Sequence, residues 1–262
     1  MSALKNTFRV LFRSLYYAVY GRAGKAITIN NEQYVVSAHT ARGINPVIDE
    51  LPLKLLCNLA KDANILFDIG ANIGVISLIL SKKMKPGSTI YAFEPAPATF
   101  VYLKDTARVQ KGNAKVIAFN NAISNKNEVL RFTNLERTTR NHVVTDNRAD
   151  TLPVNAIALD SFCAEHKVIP EVIKIDIEGA EYWALQGMAQ TLKHNNITVL
   201  VEIHPEYLAT NDITGKMFED YILSIDYKAF DISGSEIPAS EILHNTIVVL
   251  AKQKPAATVF NI

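Results

Sequence analysis

The sequence is poor in cysteine. Its two cysteines, Cys57 and Cys163, stand far apart and without metal-ligand spacing. That excludes a disulfide framework and a cysteine-based zinc site, and it fits a reducing compartment. No apolar run reaches the ~18 residues that a membrane-spanning helix needs. Lys and Arg total 27 against 26 Asp and Glu, a formal net charge of +1, so no global field draws the chain to nucleic acid. Internal repeats and low-complexity stretches are lacking too, and so is a G-x-G-x-x-G turn. What is present is enough for a full core: 262 residues, 48% of them hydrophobic, the size of one α/β domain.

The stretch that organises the chain is Ile65-Leu-Phe-Asp-Ile-Gly-Ala-Asn-Ile-Gly-Val-Ile-Ser-Leu. Ile65–Ile69 has the length of a buried strand, and Val75 opens a helix. Between them Gly70-Ala-Asn-Ile-Gly74 is a small-residue loop that lets a ligand approach backbone. Asp68 stands at the carboxyl end of the strand, where open parallel sheets bind ligands. A dinucleotide turn would seat a pyrophosphate on the helix N-terminus. Asp68 repels a pyrophosphate and suits a cationic ligand, and S-adenosylmethionine carries both an ammonium and a sulfonium. The pattern Asp68-x-Gly-x-Asn-x-Gly74 is similar to motif I of class I methyltransferases, with Asn72 where the commoner form has glycine.

Along the chain, residues 1–24 form an amphipathic helix in this reading. Lys5, Arg9 and Arg13 share one stripe, and basic residues inside the apolar part argue against a secretory leader. The helix packs either on protein or on an anionic membrane surface. Ala26–Val36 predicts a hairpin around Asn30-Asn31. Residues 1–44 are thus an extension, and 45–262 form the main domain. Helices are predicted over Val47–Leu59, Val75–Lys83, Pro97–Gln110, Ala180–Leu192 and around Phe218–Leu223. Strands are predicted at Ile65–Ile69, Thr89–Phe93, Lys115–Phe119, Val129–Phe132, Val154–Leu159, Val172–Ile175, Ile197–Val201, Tyr227–Ile232 and Thr246–Ala251. Such alternation predicts a mostly parallel sheet covered on both faces. A last strand arriving without a helix is most simply antiparallel. Residues 134–150, with Arg137, Arg140, His142 and Arg148, read as a loop over the site or as an exposed insertion. Glu94 follows Gly74 by twenty residues, the distance at which nucleoside-binding α/β folds place an acidic residue on ribose hydroxyls.

Several segments then agree in order: Phe67-Asp-Ile-Gly-Ala-Asn-Ile-Gly74, Ala92-Phe-Glu-Pro95, Asn121-Ala122, Leu159-Asp-Ser-Phe162, Ile173-Lys-Ile-Asp-Ile-Glu-Gly-Ala-Glu181 and Glu202-Ile-His204. Together they resemble the FkbM-type S-adenosylmethionine-dependent methyltransferases over roughly residues 45–250. The resemblance implies a seven-stranded Rossmann-like sheet with the last strand antiparallel. It also implies methyl transfer to hydroxyls of sugars, glycans and natural products, often in bacterial gene clusters. By it, Gly70, Asn72 and Gly74 shape the turn under the methionine part of the cofactor, with Asp68 near its amino group. Glu94 would hold the ribose, Asn121 and Ala122 would border the adenine, and Asp176 would face the methionine or the acceptor.

The chemistry asks for an acceptor oxygen held in line and relieved of its proton. Asp176 and Glu178, like Glu202 and His204, are two apart and point to one face of a strand end. His204 is the candidate base, with Asp176 and Glu202 beside it, because neutral imidazole suits proton removal near neutral pH. Glu181 reads mainly as a helix-start carboxylate. The same oxygen-rich cluster suits Mg²⁺ or Mn²⁺, but no metal is assigned. A nucleotide-dependent oxidoreductase and a non-catalytic cofactor-binding protein are the competing readings. The expected partners are the cofactor and a small-molecule or glycan acceptor, in the cytoplasm, with residues 1–24 as the one segment suited to the inner face of a membrane.

Overall fold

The computed structural model describes residues 24–133, the backbone of 143–144, and residues 151–262. The readings of residues 1–23 and of most of the 134–150 loop lie outside the described residues.

The hairpin is β1 (Lys25–Ile29) and β2 (Glu32–Val36), paired antiparallel. Asn30 and Asn31 both take positive φ, 44° and 63°, the backbone that a two-residue hairpin turn with matching twist requires. Ile29, Tyr34 and Val36 bury against Leu78 and Ile79 of the helix Val75–Lys83. The hairpin is therefore packed onto the main domain.

The central sheet comprises β3 (Ile65–Ile69), β4 (Thr89–Phe93), β5 (Lys115–Phe119), β10 (Val172–Ile175), β11 (Thr198–Glu202), β12 (Lys228–Phe230), β13 (Glu236–Ile237) and β14 (Ile247–Ala251). Its order is β13-β12-β14-β11-β10-β3-β4-β5. Strands β5, β4, β3, β10 and β11 run parallel, and β14 runs antiparallel to both β11 and β12. This is the expected seven-strand arrangement with the two-residue β13 added at one edge. Helices such as Val75–Lys83 and Leu159–His166 cover the two faces, so β10 is buried throughout and β3 in all but its first residue.

The chain between β5 and β10 builds a second sheet, which the strand pattern alone did not separate. It contains β6 (Ala122–Ile123), β7 (Glu128–Thr133), β8 (Val143–Val144) and β9 (Thr151–Ile157), in the order β6-β9-β7-β8. Phe132 of β7 reaches from it to the ligand end of the central sheet.

Several helix bounds differ from expectation for local reasons. The first described α-helix is Glu50–Ala60 rather than starting at Val47, because the Asp49 side chain accepts from Leu51 N–H and caps it there. The expected Ala180–Leu192 helix is two helices, Glu181–Gln186 and Ala189–His194. Asp160 accepts from Gln190 N–H (3.0 Å) and Thr191 N–H (2.7 Å), capping the second one. Leu159–His166 and Pro205–Thr210 are helices that the sequence pattern did not reveal. The Leu159-Asp-Ser-Phe162 segment is thereby structural: Asp160 caps a helix, and Phe162 packs edge-on against Phe67, Phe93 and Phe119.

Candidate active site

The carboxyl ends of β3, β4, β5 and β10 surround a cavity of about 290 Å³. Its walls include Gly70, Asn72 and Ile73 after β3, Glu94 at the end of β4, Asn121 and Ala122 after β5, and Asp176 and Glu178 after β10. The loop after β3 is held tightly. Gly70 and Ala71 donate their N–H groups to the Phe93 carbonyl, at 3.1 and 2.9 Å. Gly70 has φ +77°, and a Cβ there would collide with the carbonyl oxygen of Asp176. Only glycine lets β3 and β10 close on each other at this point. Asn72 also takes a positive φ, 50°, and its Oδ1 accepts from Ile73 N–H at 2.7 Å.

Glu94 is 7% exposed. Its two oxygens accept from Asn72 N–H (3.1 Å) and Ala96 N–H (2.9 Å). Burial nevertheless pushes its carboxyl up to about 7, against the pull of those two hydrogen bonds. A carboxylate with spare lone pairs facing a cavity fits ribose hydroxyl donors.

Asp68 and Gly74 do not line this cavity. Asp68 is fully buried behind it. Its Oδ2 accepts from Ser77 Oγ at 2.5 Å, and its Oδ1 lies 3.5 Å from Lys174 Nζ. That Oδ1 has no hydrogen-bond partner among the described residues. Lys174 also donates to the Gly70 carbonyl (3.2 Å) and pairs with Asp176 Oδ2 (3.2 Å). Burial alone would lower the lysine, but Asp176 and Asp68 outweigh it and push it up to about 12. Lys174 is thus a fixed cation between β3 and the rim. Neither Lys174 nor Ser77 stands out from the sequence as a site residue. The signal available was a charged residue inside Val172–Ile175, a strand otherwise apolar and buried.

The rim gathers the predicted catalytic residues. His204 Nε2 lies 3.9 Å from Asp176 Oδ1, 3.7 Å from Glu178 Oε2 and 4.0 Å from Glu202 Oε1. Its Nδ1 lies 2.8 Å from Oε1 of Glu181, which is fully buried. Glu181 opens its helix as expected, but it also contacts the histidine directly. Burial would lower the imidazole, but Glu181, Glu178 and Asp176 override it and raise His204 to about 9. Neighbouring carboxylates thus raise the basicity of the ring, and at neutral pH they favour its protonated over its neutral form. Burial and the neighbouring Asp176 raise the Glu202 carboxyl. Asp176, Glu202 and His204 also offer three ligand atoms within 4.8 Å of one another, the spacing of a divalent-cation site. Lys174 already places positive charge against Asp176.

A second cavity, of about 650 Å³, adjoins the first and shares Ile48, Ile76, Lys174 and Asp176 with it. Its other walls include Leu51, Leu53, Leu56, Ile232 and Ile247, and the polar Asp49, Glu202, Asp231 and Asn245. His204 lines neither cavity and stands behind Asp176 and Glu202.

This strand order, with a glycine loop after β3 and an acidic residue closing β4, defines a class I methyltransferase fold. The chain matches the family described as Methyltransferase FkbM domain over residues 68–237, and it belongs to that family. It is a methyltransferase. It is 28% identical over 178 residues to the hexuronic acid methyltransferase AglP of Haloferax volcanii, covering 68% of this chain and 69% of that one. It is 28% identical over 149 residues to Methyltransferase 1 of Beauveria bassiana, covering 48% of this chain and 59% of that one. These relatives are archaeal and fungal, so the resemblance does not narrow the source to bacteria. A solved structure of methyltransferase FkbM from Methylobacillus flagellatus is similar at a TM-score of 0.44 and 17% identity, over 73% of this chain and 44% of that one.

Proposed function

We propose that the chain is an S-adenosylmethionine-dependent O-methyltransferase acting on a hydroxyl of a sugar, glycan or natural product. The observation that carries this reading is the pair of adjoining cavities with Lys174 and Asp176 in their shared wall. The smaller one suits the cofactor. Gly70 and Asn72 keep its floor free of bulky side chains, Glu94 offers acceptors to a ribose, and Asn121 and Ala122 border the far end. Asp176 answers a cationic group, whereas Asp68 acts from behind through Lys174 and Ser77. The larger cavity suits the acceptor: apolar residues line one part, and Glu202, Asp231 and Asn245 give hydroxyl groups partners. The name of the archaeal relative, a hexuronic acid methyltransferase, agrees with a sugar acceptor.

When bound, S-adenosylmethionine supplies a methyl group activated by its sulfonium. The residues of the chain hold the acceptor oxygen and take its proton. In this reading Asp176 and Glu202 accept hydroxyl hydrogen bonds and orient the acceptor. His204 receives the proton at Nε2 through the carboxylate between, once its own proton is gone.

The cation-seeking rim also favours this reading over a nucleotide-dependent oxidoreductase. A protein that only binds the cofactor would not need His204. We place the enzyme in the cytoplasm on its two unpaired thiols, Cys57 and Cys163. Among the described residues, no helix is long and apolar enough to cross a membrane. Calorimetric titration with S-adenosylmethionine, followed by a transfer assay on a panel of neutral and acidic glycosides, tests the proposal. Binding of NADH in place of S-adenosylmethionine would overturn it.

A further inference from the structure

We propose that Glu181 is a positioning residue: its buried carboxylate accepts the Nδ1–H of His204 and so turns Nε2 toward Asp176, Glu178 and Glu202. The inference rests on the reading of His204 as the base and adds a residue to it.

Three observations carry it. First, Glu181 has no exposure at all. A carboxylate that only favours a helix N-terminus does so at the surface with no cost of burial, and Glu181–Gln186 is a six-residue helix with little dipole to complement. Burying a carboxylate is costly unless something specific uses it. Second, its partners are few and directed. Oε1 accepts from Gly179 N–H at 2.9 Å and meets His204 Nδ1 at 2.8 Å. Oε2 has no partner among the described residues. One oxygen therefore ties the imidazole to the loop between β10 and its helix. Third, the loop after β10 packs directly on the helix that follows His204, Pro205–Thr210. A Cβ at Gly179, which has φ +98°, would collide with Cβ of Tyr207, three residues past the histidine. Glycine at 179 thus permits the close approach across which Glu181 reaches His204.

The consequence is a choice of tautomer. A carboxylate only accepts, so the nitrogen facing it carries the hydrogen. The neutral ring then has its lone pair on Nε2. That atom faces Asp176, Glu178 and Glu202 at 3.7 to 4.0 Å, each too long for a hydrogen bond. A proton released at the rim arrives at Nε2 and makes the imidazolium, whose charge Glu181 and those three carboxylates stabilise. Lys174, against Asp176, is the other charge at this rim.

The test uses full-length E181Q and E181L beside H204A. In E181Q an oxygen still accepts from Gly179 and His204, but the charge is gone. In E181L both are lost. At saturating acceptor and S-adenosylmethionine, E181L should lower kcat by roughly 10- to 100-fold, the usual weight of a partner that orients a functional histidine. KM for S-adenosylmethionine should stay within about twofold, since Glu181 does not line the cofactor cavity. E181Q should keep most of kcat at high pH and move the rising limb of the profile down by about one pH unit or more, because an anion beside the ring is removed. Histidine nitrogen NMR at high pH should show the Nδ1–H form of His204 in the native protein and E181Q, and a mixture in E181L. Native kcat together with an unchanged His204 tautomer in E181L would overturn the proposal. So would a loss of kcat in E181Q with no movement of the profile and no change in ring signals, which is how a purely structural carboxylate would behave. If E181L does not fold, E181Q decides on its own. A native rate in H204A would remove the base reading instead, and the tautomer measurement would still report whether Glu181 orients the ring.

Discussion

Lys174 and Asp68 stand opposite each other on neighbouring parallel strands, with Nζ 3.5 Å from Oδ1. The lysine is 6% exposed and the aspartate fully buried. Two such groups persist inside a sheet only as partners, and Asp176 completes the set at 3.2 Å from the same Nζ. The ion triad links the strand before the glycine loop to the residue that faces both cavities. Lys174→Met should therefore strand two carboxylates and cost about 3–5 kcal/mol of stability, the usual cost of removing one partner from a buried pair. Denaturant unfolding measures it. Adding Asp68→Asn to that variant should recover part of the loss, since one unpaired charge disappears with it. An additive double mutant would mean that the pair is not coupled.

Glu94 offers a second measurement. Burial raises its carboxyl to about 7, so near neutral pH the group is partly protonated. Its ionised form makes the stronger, charge-assisted hydrogen bonds to hydroxyl donors. Affinity for S-adenosylmethionine should thus weaken as pH falls through about 7. Glu94→Ala should remove that dependence and cost on the order of 1.5–3 kcal/mol of binding, read by calorimetry as a function of pH. Native affinity in Glu94→Ala would take this residue out of the cofactor site.

Residues 1–24 give a prediction that depends on sequence alone. If the stripe of Lys5, Arg9 and Arg13 seeks anionic lipid, the full-length chain should bind phosphatidylserine vesicles at low salt and leave them at high salt, because exposed charges are screened. Replacing all three by Glu should abolish binding and leave transfer to a soluble acceptor unchanged. Absence of vesicle binding by the native chain would assign the stripe to a protein contact.

The strands of the central sheet were legible because each is a short apolar run bounded by turn residues, and the glycine loop announced the ligand end. The second sheet was harder to read. Val129–Phe132 and Val154–Leu159 look like any other strands, and nothing local tells which sheet they join. Pro205–Thr210 and Leu159–His166 are too short for a clear apolar period. In the site, Glu94 was picked out by its spacing from Gly74, Asn72 by the family resemblance, and the convergence of Asp176, Glu178, Glu202 and His204 by their two-residue spacings. The size of the shift at His204 was not legible. It depends on four carboxylates from two stretches of chain, 176–181 and the end of β11, and a count of distances along the chain does not report their sum. Lys174 was missed for the opposite reason: a lysine in a buried strand explains itself only when its across-strand partner is known.

That sum of charges governs the last prediction. Each carboxylate around His204 favours the imidazolium, and together they raise the ring to about 9. A base must first lose its proton, so the rate of transfer should rise with pH and level off only above about 9, rather than above the ordinary value near 6.5. Stability should move the other way. A histidine raised in the folded state adds stability that is fully present below about 6.5 and is lost as pH rises through about 9. Over that window the enzyme should thus become more active and less stable, and His204→Ala should flatten both trends. The same variant should bind S-adenosylmethionine nearly as the native protein does and slow transfer by roughly 10²–10⁴, the range for loss of a general base. A rate profile that rises near 6.5 would mean that bound ligands neutralise the rim and restore an ordinary imidazole. A native rate in His204→Ala would instead leave holding the acceptor oxygen in place as the whole contribution of the chain to the reaction.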